Sequence, residues 1–319
     1  MTSFTFEGRT IEAEDGETVL SALLKDGHKI SNGCQAGACQ ACLLRSGESV
    51  PKAAQNGLDE TLIERGIFLS CQAKASDIQS AERLDNEVFP RFAAKLVDKQ
   101  WVTDEVIIAS LRVDGWQGSP GRFIRLHSSD GVSRPYSLAA PAWMEPEFVQ
   151  LHVRYIPGGA MSESLKSATV GNAFEIEGPF GKCCYRTTDQ QEPILLIGSG
   201  TGLAPLYGIV TDALRKGHEG PISLHFGAAT SSRLYFQSEL KKLTDQHPNF
   251  QFHTYADSEV LENDRVGSPL DGALKEHAKL DGYKVYLCGH PNLVKAGQRK
   301  CFLAGASLKD IFADAFVAA

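Results

Sequence analysis

No stretch of this 319-residue chain approaches the 18 consecutive apolar residues that a membrane-spanning helix needs. The N-terminus, MTSFTFEGRT, has no basic segment leading into an apolar one, so a secretory signal is not expected and a cytoplasmic location is. Net positive charge is also missing. Lys and Arg number 32 against 39 Asp and Glu, a formal balance of −7, whereas binding to a phosphate backbone wants a basic face. Nucleic acid is therefore not an expected partner. Internal repeats and low-complexity tracts are absent, so a solenoid is not expected. What remains is a globular composition, 42% hydrophobic and 22% charged, at a length that suits two or three domains.

Eight cysteines are present. In a cytosolic chain they are metal ligands, catalytic thiols or core residues in preference to disulfides. The acidity is uneven: residues 1–85 hold 13 Asp and Glu against 8 Lys and Arg. That excess reads either as ordinary solubility or as a docking face for a basic partner.

Three rhythms follow one another. Residues 3–13 read as two strands around Glu7-Gly8-Arg9, then Asp15-Gly16 opens a helical pattern through Val19, Leu20, Leu23 and Leu24 to Gly27. A cysteine-rich loop and a short helix over 58–65 lead to Cys71, and a charged stretch, 82–91, suits a linker. From 92 to 180 the short runs VIIASLRV, RFIRLH, RPYSLA and FVQLHVRYI, with one helical insertion near 162–166, predict an antiparallel barrel. After Glu192, ILLIG, ISLHFG, FQFHTY and KVYLCG alternate with helical stretches. That alternation predicts a parallel sheet with its ligand beyond the strands' carboxyl ends.

Cys34, Cys39 and Cys42 stand at C-x4-C-x2-C, with Cys71 further on. Four thiolates suffice for a 2Fe–2S cluster, and three from one tight loop suit its small size. Gly33 and Gly37 lack a Cβ and let backbone N–H groups approach the sulfurs. A zinc site and unrelated buried cysteines are the other readings; zinc prefers paired short spacings.

Arg134-Pro135-Tyr136-Ser137 offers a guanidinium for a diphosphate, a ring to lie against an isoalloxazine and a hydroxyl to hydrogen-bond the flavin N5. Alone the tetrapeptide reads equally as a surface strand. Its weight comes from Gly158-Gly159-Ala160-Met161-Ser162, which opens a helix whose N–H groups make an anion site, and from His152 and Arg154 on the preceding strand. The diphosphate site favours FAD over FMN.

Gly198-Ser-Gly-Thr-Gly202-Leu-Ala-Pro205 follows a strand and opens a helix, a phosphate cradle in form. It is not G-x-G-x-x-G, because position 203 is Leu. A plain glycine-rich turn is the other reading. The next strand ends in Ala229-Thr-Ser231-Ser232-Arg233 without an acid; hydroxyls and a cation there favour NADPH, and a solvated loop is the alternative. Cys288-Gly289-His290-Pro291 ends the fourth strand, where a thiol stands beside a nicotinamide or fills a buried gap. Cys183, Cys184 and Cys301 show no partner pattern and read as packing residues.

Together these motifs resemble the ferredoxin–NADP reductase superfamily, and more narrowly the reductase components of bacterial multicomponent oxygenases; the CDP-glucoseen reductases share the layout. The resemblance covers essentially the whole chain. It implies a multidomain α+β and α/β protein: a β-grasp ferredoxin domain at 1–85, a six-stranded antiparallel β-barrel FAD domain at 92–185 and a parallel α/β NAD(P) domain at 190–319. It implies Cys34, Cys39, Cys42 and Cys71 as cluster ligands. Arg134, Tyr136 and Ser137 would then hold the flavin, with Gly159 and Ser162 near its pyrophosphate, and Gly178-Pro-Phe-Gly181 matches the turn closing that domain. Gly200, Thr201, Gly202 and Pro205 would bind the nucleotide, Cys288 would lie near its reactive carbon, and Phe316 would be the ring beside the flavin. Many relatives with this domain order carry an acid near 231–233, and Ser231, Ser232 and Arg233 depart from that. The expected activity is NAD(P)H-dependent electron transfer through FAD and the cluster to an acceptor protein. The expected acceptor is the oxygenase component of a Rieske or di-iron system, with a deoxysugar dehydratase as the rival acceptor; a non-catalytic redox sensor or electron-carrier module is the rival reading of the chain itself. A monomer is expected.

Overall fold

The computed structural model describes all residues except 31, 33, 34, 36, 38, 39, 59, 85–89, 117, 140–146 and 317–319. The chain forms three bodies in series. In the first, β1 (Thr2–Phe6) and β2 (Arg9–Ala13) pair antiparallel across a two-residue turn in which Glu7 and Gly8 both take positive φ. That left-handed pair matches the twist of the hairpin. Helix α1 (Val19–Lys25) starts three residues after Gly16, later than the sequence pattern suggested, because the Thr18 hydroxyl caps it by accepting from the Ser21 N–H at 3.2 Å. Val19, Leu20, Ala22 and Leu23 go into the core and Leu24 turns outward. β3 (Leu43–Arg45), α2 (Glu60–Glu64), β4 (Ile67–Leu69) and β5 (Ser80–Ala81) follow. The sheet order is β2-β1-β5, with β5 parallel to β1, while β3 and β4 form a separate ladder. Glu82 and Arg83, read as linker, are held against this body by a bridge to Arg45 and an ion pair with Glu7.

The second body is a closed six-stranded antiparallel barrel, in the order β10-β7-β6-β11-β8-β9. Its strands are β6 (Arg91–Trp101), β7 (Val106–Val113), β8 (Phe123–His127), β9 (Ser133–Ala139), β10 (Phe148–Arg154) and β11 (Ala173–Phe180), with α3 (Ala160–Ser167) inserted before the last. Its interior is aliphatic: Leu96, Ile107, Leu111, Ile124, Leu126, Leu151 and Ile176 are fully buried. Full closure leaves no strand edge exposed.

The third body is a six-stranded parallel sheet. It comprises β12 (Ile194–Ser199), α4 (Leu203–Arg215), β13 (Ile222–Thr230), α5 (Gln237–Gln246), β14 (Phe250–Ser258), β15 (Arg265–Val266), α6 (Pro269–Glu276), β16 (Lys284–Gly289), α7 (Pro291–Leu303) and β17 (Ile311–Ala315). The order β15-β14-β13-β12-β16-β17 reverses direction beside β12, so a crevice opens at the carboxyl ends of β12 and β16. The two edge strands, β15 and β17, were not marked by the pattern of residues. Helix α4 lies directly on β9: a Cβ on Gly208 would stand 2.8 Å from the Leu138 carbonyl oxygen, so only glycine allows the approach. The barrel also meets the first body. Phe123 and Phe180 belong to its apolar core, and Lys182 Nζ donates to the Leu58 carbonyl at 2.6 Å.

Candidate active site

A cavity of about 810 Å³ lies between barrel strands β9 and β10 and the carboxyl ends of β12, β13, β14 and β16. Its size suits a cofactor with a second ligand beside it. On the barrel side Arg134, Tyr136 and Ser137 all line it. Arg134 donates one N–H to the Ser133 carbonyl at 2.8 Å. Burial withdraws the Tyr136 phenol from water and pushes its pKa up, so it stays neutral. Ser137 Oγ donates to Asp314 Oδ2 at 2.7 Å, and loss of solvent raises that carboxyl to about 6.

His152, Arg154, Gly159 and Ser162 also line the cavity. His152 is buried. Its Nδ1 lies 2.9 Å from the Tyr235 hydroxyl and its Nε2 3.3 Å from Gln150 Oε1, and burial lowers its pKa to about 3. It is a neutral, fixed ring at physiological pH. The Ser162 hydroxyl is less available than its position suggested. It lies 2.9 and 3.0 Å from the carbonyls of Ile156 and Gly159 and accepts from the Ile156 N–H at 3.2 Å, so it shapes the turn. Arg154 and Arg233 share one partner, Glu105, at 3.6 and 2.7 Å.

On the nucleotide side Ser199, Gly200 and Thr201 form the rim, with Gly200 at φ +55. Two expected binders do not reach the cavity. Gly202 is buried under β16, where a Cβ would lie 2.4 Å from the Cys288 carbonyl oxygen, and Pro205 is buried in the first turn of α4. Cys288 is also withdrawn. It is fully buried, burial pushes its thiol pKa well up, and its Sγ lies 3.6 Å from Cys183 Sγ. Cys183 thus has a partner that its sequence context did not reveal. Gly289 lines the cavity. Ser231 does not: it is buried and accepts from the Leu261 N–H at 3.0 Å, while Ser232 bonds Thr230 on the exposed side. Arg233 does line the cavity, and so does Asp257 from the end of β14, an acid that no local motif marks.

Phe316 lines the cavity and its N–H donates to the Gly289 carbonyl at 2.8 Å, whereas Phe312 stacks on Tyr286. Asp314, between them, was missed. Its signal was a lone acid in an otherwise apolar terminal strand. Glu105 and Phe123 were missed as well; nothing in their loop and strand contexts marks them.

Among the proposed cluster ligands, Cys34 and Cys39 lie outside the described residues, as does Gly33. Cys42 and Cys71 are both buried, with their thiols within hydrogen-bonding reach, and that contact together with burial pushes Cys42 up. Gln72 Nε2 donates to Cys71 Sγ at 3.4 Å. Gly37 takes φ +81, and a Cβ there would meet Gln72 at 3.1 Å. From the barrel, Arg125 Nη2 donates to the Gln40 carbonyl at 3.2 Å, inside the cysteine loop.

Three family models match in the order of the three bodies. They are a 2Fe-2S iron-sulfur cluster binding domain over residues 4–76, an oxidoreductase FAD-binding domain over 93–185 and an oxidoreductase NAD-binding domain over 196–299. The ferredoxin–NAD(P)+ reductase component of the naphthalene 1,2-dioxygenase system of Pseudomonas putida is 32% identical, with 97% of this chain and 96% of the relative covered. The chain belongs to the oxygenase-reductase family of ferredoxin–NAD(P)+ reductases. Reductase component 2 of terephthalate 1,2-dioxygenase from a Comamonas species is 30% identical over 94% of this chain and 92% of its own. The crystal structure of the Amycolatopsis reductase GcoB superposes with a TM-score of 0.71 at 26% identity, covering 99% of both chains.

As a member of this family the protein is an NAD(P)H-dependent oxidoreductase with 2Fe–2S, FAD and NAD(P)H sites. The residues present fit those groups: paired buried thiols beside a left-handed glycine, and a cavity of about 810 Å³ lined by both the barrel and the parallel sheet.

Proposed function

We propose that hydride passes from a nicotinamide nucleotide to the flavin within the 810 Å³ cavity, and that electrons then leave singly through the cluster to an oxygenase component. One observation carries this reading: Phe123 lines the cavity and also belongs to the apolar core of the cluster-bearing body, so the two redox sites share a wall. A bound flavin supplies the conversion from two-electron to one-electron chemistry.

The chain's residues would divide the work as follows. Arg134 pairs with the cofactor diphosphate, Tyr136 and Phe316 flank the ring, and Ser137 presents its oxygen to the reacting edge, held by Asp314. His152 and Arg154 support the barrel wall, and Gly159 opens the helix end. Gly200, Thr201 and Gly289 receive the nucleotide. Cys34, Cys39, Cys42 and Cys71 hold the cluster. Cys288 backs the nicotinamide site from the layer below, against Cys183. The domains divide at 1–85, 92–185 and 190–319, and the protein acts as a cytoplasmic monomer. The relatives' dioxygenase systems support an oxygenase as acceptor. No described helix is long and apolar enough to cross a membrane.

The test is pure protein with about two irons and two sulfides per chain. It should reduce cytochrome c steadily with NAD(P)H. Cys71→Ser should abolish that reduction and leave NAD(P)H bleaching of the flavin intact. Loss of both together would refute the division between cavity and cluster.

A further inference from the structure

Outside the redox cavity, three imidazoles and a carboxylate converge between β13, β14 and the end of α6. His225 and His253 are register partners on adjacent parallel strands, so their rings lie on one face with centroids 5.1 Å apart. Glu276, the last residue of α6, places Oε2 3.1 Å from His253 Nε2 and 4.0 Å from His225 Nε2. The ligand atoms all lie within 4.8 Å of one another. Next in the chain, His277 stands edge-on to His225 at 5.7 Å, and its Nε2 is buried with no hydrogen-bond partner.

We propose that His225, His253 and Glu276 form a divalent transition-metal site of the zinc type, with a fourth position open to water or His277. None of these residues lines the redox cavity. Tetrahedral zinc with bonds of about 2.0–2.1 Å sets its ligand atoms roughly 3.4 Å apart, so small side-chain rotations bring these three into place. The donor set is diagnostic: two imidazole nitrogens and one carboxylate oxygen suit zinc, whereas magnesium and calcium take oxygen alone.

The surroundings hold these side chains as a metal site requires. The Tyr255 hydroxyl lies 2.9 Å from His225 Nδ1 and fixes that ring. Arg265 binds the other Glu276 oxygen, Oε1, leaving Oε2 for the imidazoles. The Ser223 hydroxyl, 3.1 Å from His225 Nε2, must rotate away on binding. His253 and Glu276 remain partly exposed and give the ion an entrance. The consequence is structural. Ser268 and Pro269, at the start of α6, line the redox cavity, and a metal at the other end would clamp that helix to the sheet.

The experiment uses the full-length protein with flavin and cluster loaded, passed over a chelating resin and titrated with zinc chloride against a chromophoric chelator. Wild type should take up one zinc per chain, and its thermal midpoint should rise. His253→Ala and Glu276→Gln, both at partly exposed positions, should each weaken uptake by about tenfold or more and lose the thermal response. The double variant sets the background from other surface histidines. Uptake by wild type no greater than that background, or wild-type affinity in either single variant, overturns the proposal.

Discussion

The Ser137 hydroxyl and the Asp314 carboxylate meet at 2.7 Å, joining barrel strand β9 to β17, the edge strand of the parallel sheet. Both line the cavity, so the bond spans the cleft in which two ligands must meet. Ionised, Asp314 accepts a hydrogen bond from the Ser137 hydroxyl, which leaves that oxygen free to act as an acceptor at the cavity wall. Protonated, it is a weaker acceptor and can itself donate, so it orders that hydroxyl less firmly.

The pH dependence follows from that. Loss of solvent raises Asp314 to about 6, above the ordinary aspartate value. Flavin reduction by NAD(P)H, followed by stopped flow, should rise as pH passes through about 6 and then level off. Asp314→Asn should abolish the inflection. Stability moves the other way: the contribution of this group is full below about pH 4 and is lost as pH rises through about 6, because burial disfavours the ionised form. Ser137→Ala should slow flavin reduction by about 10-fold or more while nucleotide affinity changes little. An unaltered pH profile in Asp314→Asn would remove this pair from the chemistry.

Arg134 is expected to govern flavin retention. A charge-assisted Arg–phosphate bond contributes roughly 1.5–3 kcal/mol, or about 10- to 150-fold in affinity. Arg134→Ala should emerge depleted of FAD and recover activity on adding it. Protein purified with full, tightly held FAD would show that the guanidinium binds something else.

Nucleotide choice rests on two residues of opposite charge. Arg233 lines the cavity but is paired with Glu105 at 2.7 Å, and Asp257 lines it from β14. A 2′-phosphate gains from the cation and is repelled by the acid. Asp257→Ala should lower the NADPH Michaelis constant more than the NADH one, and Arg233→Ala should raise it. Equal shifts for both nucleotides in both variants would place the 2′ position elsewhere.

The order of the three bodies was legible because each carries a rhythm of its own: cysteine spacing, short evenly spaced strands, then β-α alternation. The position of Gly200 at the cavity rim, with φ +55, was also legible. What could not be read was direction. Cys288 ends a strand beside the crevice, yet its side chain goes inward to Cys183, since alternate residues of a strand face opposite sides. Ser231 carries a suitable hydroxyl, but the Leu261 N–H already occupies it. Asp257, Glu105 and Phe123 enter the site through packing of distant segments, which no local pattern encodes.

The contact between barrel and cluster loop yields the last prediction. Arg125 is buried; it donates to the Gln40 carbonyl at 3.2 Å, lies 3.3 Å from Glu177 Oε2 and stands 4.8 Å over the Phe180 ring. Phe180 stacks in turn on Phe123, with centroids 5.5 Å apart, and Phe123 lines the cavity. One side chain therefore ties the Gln40 carbonyl to the barrel wall behind Phe123. Burial acts to raise the Glu177 pKa, but the His127 hydrogen bond and the charges of Arg125 and Arg91 outweigh it and hold the carboxylate below its usual range. Replacing Arg125 by Met keeps the apolar stem over Phe180 and removes the charge, while His127 and Arg91 remain beside Glu177. The lost hydrogen bond to a charged donor corresponds to about 1.5–3 kcal/mol. The first body should then disengage from the barrel more often. Cytochrome c reduction should fall by roughly tenfold or more, and flavin reduction by NAD(P)H should keep its wild-type rate. Arg125→Lys retains the charge but loses the planar fork that reaches Gln40 and Glu177 together, and should fall between the two. Wild-type acceptor reduction in Arg125→Met would mean that the apolar contacts of Phe123 and Phe180 suffice to seat the cluster.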